Sequence, residues 1–179
     1  MYFDRLVAFA LNYIKQRESA EDLTAELFVK LWLKRETLSQ VLRPEVYLFV
    51  AIKNACFNLI RNEKRKEQVF NYHEDDQQLE VIPAHRTMQL EDRELAEMIE
   101  QQISALPSQR RIIFQLIKED GLKSSAVAAI LGLSTRTVEN QLYKAVKSIA
   151  EAISHYLGYH PQRRVARKQV NTIISILFF

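Results

Sequence analysis

Apolar residues recur every three to four positions along most of this chain, the spacing of one face of an α-helix. Over residues 2 to 16 the stripe is Leu6, Phe9, Ala10, Tyr13 and Ile14. Ser19 is the expected cap of a second helix, with Asp22 as an acid in its first turn. In "AEDLTAELFVKLW", Leu23, Leu27, Phe28 and Leu31 share one face, and Asp22 and Glu26 lie a turn apart on another. The polar stretch "KRETLSQVLR" reads as a connector, and Pro44 suits the first turn of a third helix. That helix, "PEVYLFVAIKNACFNLIRNEKRK", passes from apolar through aromatic to basic and is too apolar all round to stand alone in water. From about Lys66 to Thr87 the periodicity fails; "HEDDQQLE" is acidic and Pro83 follows, the pattern of a linker.

Helical spacing resumes at Met88. Leu90, Leu95, Met98, Ile99 and Ile103 form a broken stripe that ends before Pro107. Ser108 is expected to cap the next helix, in which Ile112, Ile113, Leu116 and Ile117 are apolar, and Gly121 to stop it. Ser124 or Ser125 opens a short helix, Gly132 makes a turn, and Ser134 caps a last helix running to about Leu157. The expected fold is all-α: two small helical domains joined by a flexible linker, the C-terminal one holding a helix-turn-helix. The expected boundaries are 1–66, a linker at 67–87, 88–158, and a tail at 159–179. Only 3 Gly and 4 Pro in 179 residues agree with long helices rather than many strands.

Charge and composition narrow the function. The net charge is +3, mildly basic, which permits nucleic-acid binding. The one cysteine, Cys56, sits in an apolar run, so neither a disulfide framework nor a cysteine zinc site is expected. The start of the chain lacks the pattern of a signal peptide, and "IISILFF" at its end is far shorter than the ~20 residues of a membrane helix. A cytoplasmic protein is expected. Glycines at 121, 132 and 158 make no phosphate loop, and His73, His85, His155 and His160 make no metal-spaced pair. No catalytic, metal or cofactor site and no small-molecule substrate is therefore expected, and the chain is not expected to be an enzyme.

The segment "AAILGLSTRTVENQLYKAV" meets the demands of a DNA-reading hairpin. Ala128 or Ala129 supplies the small residue where two helices cross, Gly132 tolerates the left-handed turn, and Leu133 and Val138 anchor the pair. Ser134, Thr135, Arg136 and Thr137 then open the recognition helix, where N–H groups and hydroxyls can meet phosphates and Arg136 a phosphate or a guanine edge. Asn140 and Gln141 are candidates for base edges and Lys144 for phosphate; Glu139 would repel phosphate unless it pairs or reads a cytosine amino group. In the third helix, Tyr47, Phe49 and Phe57 alternate with Lys53, Arg61, Lys64, Arg65 and Lys66. Aromatic faces stack on unpaired bases while cations hold the backbone, although aromatics in an apolar helix also serve as core.

"ESAEDLTAELFVKLW" followed by "PEVYLFVAIKNACFNLIRNEKRK" resembles the second region of bacterial sigma factors, and "LPSQRRIIFQLIKEDGLKSSAVAAILGLSTRTVENQLYKAVKSI" resembles their fourth. With these two regions and a short linker, the chain is similar to the extracytoplasmic-function (ECF) group, over roughly residues 2 to 157. "VENQLYKAVK" is similar to members from Bacteroidetes-type bacteria. The resemblance implies that Asp22, Glu26, Phe28, Leu31 and Trp32 bind the clamp helices of the polymerase β′ subunit. It implies that Tyr47, Lys53, Asn54, Phe57, Asn58, Arg61 and Lys64 open the minus-ten element and hold its non-template strand. The recognition helix would read the minus-thirty-five element as duplex, with the fourth region on the β flap. The linker would thread toward the RNA exit path, its acidic run mimicking nucleic acid. An anti-sigma partner, often membrane-anchored in this family, is also implied.

The chain departs from the pattern in three places. Fewer residues precede the first helix than is usual, positions that are often basic are Glu139 and Gln141, and the tail after Leu157 has no counterpart. The alternative is a helix-turn-helix regulator of the response-regulator type. Such a protein should carry alternating strands and helices upstream, and residues 1 to 66 show no such alternation.

Overall fold

The computed structural model describes residues 2–70 and 90–156. The chain divides near residue 80 into two compact units. Among the described residues all regular structure is helical: α1 Tyr2–Ala10, α2 Arg17–Leu33, α3 Arg35–Leu38, α4 Pro44–Phe70, α5 Leu90–Ser104, α6 Ser108–Lys118, α7 Ser124–Leu131 and α8 Thr135–Tyr156. No described helix is long and apolar enough to cross a membrane. The expected restart at Met88, most of the linker and everything from Leu157 onward lie outside the described residues.

In the first unit α1, α2 and α4 pack on one another, and α3 caps the end of α2. Leu6, Phe9, Ala10 and Ile14 are buried as expected, Ile14 beyond the helix end, and Val7 joins them. The first helix stops at Ala10 rather than near residue 16 because Asn12 competes for its last carbonyls. Its Nδ2 donates to the oxygens of Ala8 at 3.2 Å and Phe9 at 3.4 Å. The second helix begins earlier than expected. Ser19 is not its cap: Gln16 holds that position in an extended conformation, and the Ser19 hydroxyl lies inside the first turn, 3.2 Å from Gln16 Oε1. The Arg17–Glu21 pair, 2.7 Å apart across one turn, accompanies the earlier start. From α2, Ala20, Thr24 and Leu27 reach the core, and Thr24 satisfies its buried hydroxyl by donating to Ala20 O at 2.8 Å. From α4 the buried stripe is Phe49, Ile52 and Cys56, all without solvent exposure. Phe49 meets Phe9 edge-on at 5.1 Å, and Tyr13 bridges Phe9 and Phe57 with centroids 5.3 Å from each. Burial pushes the Tyr13 hydroxyl up to about 12 and the Cys56 thiol up to about 11, so both stay protonated at neutral pH. The connector "KRETLSQVLR" contains the short α3, and α4 continues to Phe70, past the expected boundary at residue 66.

In the second unit α5 and α6 pack on the long α8. The core gathers Ile103, Leu106, Phe114, Ala145, Val146, Ile149 and Ile153, with Ile99 and Leu142 against it. Ser108 is not the cap of α6; Pro107 occupies that position, and Ser108 is the first helical residue. Gly121 ends the following turn with φ +69°, and Leu122 N–H donates to Leu116 O at 2.9 Å. Gly132 ends α7 with φ +70°, and Leu133 N–H donates to Ala128 O at 2.9 Å, closing a left-handed helix terminus. No atom lies within 4 Å of a Cβ built at Gly132, so the whole cost of a side chain there is backbone strain. Gly132→Ala should lose about 1–2 kcal/mol. Urea unfolding of the second unit, followed by circular dichroism, measures this, and a loss near zero would show that the turn relaxes.

Glu119, just past α6, has its carboxyl pushed up to about 7, first by burial and then by Glu100 and Asp120. A carboxyl whose value rises on folding favours the folded state when protonated. Its charge therefore costs stability increasingly from about pH 4.5 upward, in full above about pH 7. The residue also keeps much of its surface in water, which screens the effect. Glu119→Gln should raise the melting temperature at pH 8 and leave it unchanged at pH 4, by less than about 1 kcal/mol in stability. Equal effects at both pH values would remove the assignment.

Candidate nucleic-acid interface

The turn between α7 and α8 places the second unit's polar residues. Ser134 precedes α8, and its Oγ accepts the Thr137 N–H at 3.1 Å, the expected cap. The two hydroxyls, Ser134 and Thr137, also lie 2.8 Å apart. Val138 is wholly buried and pins the helix start. Thr135, Arg136, Asn140 and Lys144 are exposed, as is Glu139, whereas Thr137 and Gln141 are half-buried at the edge of that face. The face thus offers hydroxyl, amide, guanidinium and ammonium groups next to the uncapped N–H groups of a helix start, the chemistry that meets phosphate and base edges. Gln141 is not independent of the scaffold: Arg110 Nε donates to its Oε1 at 3.2 Å. Sequence reasoning missed Arg110, because nothing local connects residues 31 positions apart.

On α4 the singled-out residues divide into two adjacent stripes by helical register. Tyr47, Asn54, Asn58 and Arg61 fall on one, and all four are exposed; Lys53, Phe57 and Lys64 fall beside it. Tyr47 and Phe57 are 44% and 50% exposed, so each has ring surface open for stacking. Phe49 belongs to neither stripe: it is fully buried and is core. Arg61 donates to Asn58 Oδ1 at 2.9 Å, and Lys64 and Arg65 extend the cationic end in solvent. The first stripe borders an open groove of about 650 Å³ between α2 and α4. Leu23, Leu27, Leu31, Ala51, Ala55 and Leu59 contribute its apolar walls, Asn54, Asn58 and Asn62 one rim, and Lys30 and Lys34 the other.

On α2 the five expected residues do not share one face. Asp22 and Trp32 look outward, Glu26 is exposed at the edge of the groove that Leu31 lines, and Phe28 turns toward Phe3, with centroids 6.1 Å apart. Two apolar residues that the sequence reading left out, Val29 and Leu33, join Trp32; they are 58%, 73% and 69% exposed. The solvent side of α2 thus carries an apolar stripe with carboxylates near it, the kind of exposed patch that protein contacts use. Glu26 is bridged to Lys30 at 2.8 Å, and the Arg35 guanidinium sits 5.3 Å from the centre of the Trp32 ring. Among the described residues no group of three His, Cys, Asp or Glu is placed to hold a metal ion.

Comparison with known proteins places both units. The model of Sigma-70 region 2 matches residues 1–66, and that of Sigma-70 region 4 matches residues 96–149. A probable RNA polymerase sigma factor RfaY of Xanthomonas campestris pv. campestris is 28% identical over 148 residues. The match covers 78% of this chain and 35% of that protein, so the chain spans about a third of the relative's length. The sigma factor RpoE of Bartonella quintana, solved in complex with the anti-sigma factor NepR, has a similar fold. Its TM-score is 0.59 at 21% identity, over 85% of this chain and 91% of that one. With region 2 followed by region 4 across about two thirds of its length, the chain belongs to the sigma-70 family.

Proposed function

We propose that this protein is an RNA polymerase sigma factor of the ECF type, an initiation factor rather than a catalyst, directing core polymerase to specific promoters. The observation that carries the reading is the pairing, in one chain, of a helix with exposed aromatic and cationic residues and a helix-turn-helix whose second helix starts with an exposed polar face. The family matches to regions 2 and 4, in that order, support it. Residues 1–66 act as region 2, with α4 running on to Phe70, and 88–158 act as region 4; the segment between them is the linker toward the RNA exit path. Asp22, Glu26 and Trp32, with Val29 and Leu33, bind the β′ clamp helices, and Phe28 and Leu31 contribute from the edges of α2. Tyr47 and Phe57 stack on unpaired minus-ten bases, and Lys53, Asn54, Asn58, Arg61 and Lys64 hold the non-template strand. Ser134, Thr135, Arg136, Thr137, Asn140, Gln141 and Lys144 grip and read the minus-thirty-five duplex, with region 4 seated on the β flap.

The protein works in the cytoplasm. An anti-sigma factor, membrane-anchored in many such systems, holds it inactive; the complex of RpoE with NepR supports a partner of that kind. The "VENQLYKAVK" sequence supports an origin near the Bacteroidetes-type members. The helical first unit argues against a response regulator, whose upstream domain would alternate strands and helices. Permanganate footprinting tests the reading. Thymines of the minus-ten element should become reactive only when core polymerase and this protein are both present. Reactivity that requires another sigma factor would contradict it.

A further inference from the structure

Gln141 on the recognition helix is oriented from another helix of the same unit. Arg110 on α6 donates its Nε–H to Gln141 Oε1 at 3.2 Å, and both side chains are half-buried. Packing brings them together. Phe114 of α6 and Ala145 of α8 share one buried cluster, and Arg110 and Gln141 stand four residues before them, about one turn up each helix. A guanidinium can only donate, and of a glutamine amide only the oxygen accepts. The bond therefore fixes which way round the amide sits: one of the two lone pairs of Oε1 is taken by Arg110, and Nε2 keeps both of its hydrogens to offer a base. Turning the amide over would set N–H against N–H and lose a charge-assisted hydrogen bond.

We propose that Arg110 is a positioning residue that sets the base preference of Gln141. The inference rests on the reading of α8 as a duplex-reading helix. An unrestrained glutamine reads adenine with both ends of its amide, accepting from N6 and donating to N7. With Oε1 turned toward Arg110 and half of its accepting capacity used, Gln141 meets a base chiefly as a donor. It favours the acceptor groups of keto bases, guanine O6 and N7 or thymine O4, over the amino groups of adenine and cytosine. The half-buried arginine thus selects a base class without touching the base.

The test is selection of promoters from a library randomised across the upstream element, using holoenzyme assembled from core polymerase and the full-length chain. The wild type should prefer guanine or thymine over adenine or cytosine at one position, and Gln141→Ala should abolish that preference. Arg110→Ala should weaken the preference at the same position by about fivefold or more, chiefly by admitting adenine, and leave other positions unchanged. The double variant should add nothing further at that position, since both changes remove one coupled contact. Uniform weakening across all sequences by Arg110→Ala would make the arginine a phosphate contact or a plain structural residue and overturn the inference. An unchanged selection profile would overturn it as well. A wild-type holoenzyme indifferent to every upstream position would remove the duplex-reading assignment itself. Selection that survives at other positions but never responds to Gln141→Ala would remove only the role given to Arg110 and Gln141.

Discussion

Phe49→Ala should destabilise the first unit by about 3–5 kcal/mol, the range for truncating a buried phenylalanine. The ring is fully buried, meets Phe9 edge-on at 5.1 Å, and lies 5.8 Å beneath the Arg5 guanidinium. It sits where α1 and α4 pack, so no neighbouring solvent surface can collapse into the space it leaves. A small domain carries about 5–15 kcal/mol in total, so the variant should stand near the edge of unfolding at growth temperature. Urea titration should show the first transition moved sharply down and the second unit's transition unmoved. Phe57→Ala, on the same helix but half-exposed, should cost far less stability and instead impair strand opening. If the two variants were equally destabilising, the division of α4 into a buried stripe and a binding stripe would fail.

Trp32→Ala should leave the fold intact and weaken polymerase binding by about 2 kcal/mol or more, roughly thirtyfold. At 69% exposure the ring contributes little to folding, and its contact with Arg35 is lost with it. Isolated exposed tryptophans are uncommon, and this one is flanked by exposed Val29 and Leu33 and by the carboxylates Asp22 and Glu26. Burying that stripe under a basic helix surface would desolvate the ring and pair the acids. Trp32 is the one tryptophan in the chain, so its fluorescence reports the event directly. Emission should shift to the blue when core polymerase containing no sigma factor is added, and the shift should saturate with the measured binding. A spectrum that stays solvent-like in the assembled complex would exclude Trp32 as the anchor.

These two residues show how much of the molecule could be read from the chain. The hairpin of α7 and α8 was legible because its rules are local: Gly132 for a left-handed turn, Ser134 for a cap, Val138 for an anchor. The all-helical division was legible from periodicity. The ends of the first two helices were not, since Asn12 ends one by competing for its carbonyls and Gln16 rather than Ser19 begins the other. The role of each α4 aromatic depended on helical phase against α1 and α2. Phe49 stands in register with Ile52 and Cys56 on the buried face, whereas Tyr47 and Phe57 are rotated away from it. On α2, apolar residues lie on nearly every side, so periodicity could not separate Val29 and Leu33 from Leu27. The contact from Arg110 to Gln141 is a tertiary one and has no local signature.

Run-off transcription with purified core polymerase and this protein alone, with the 5′ ends of the transcripts mapped, tests the central claim most directly. Specific start sites sharing upstream and minus-ten elements, dependent on this protein and needing no other initiation factor, are the predicted result. Transcripts that appear only when a resident sigma factor is supplied would contradict it and make the protein an activator.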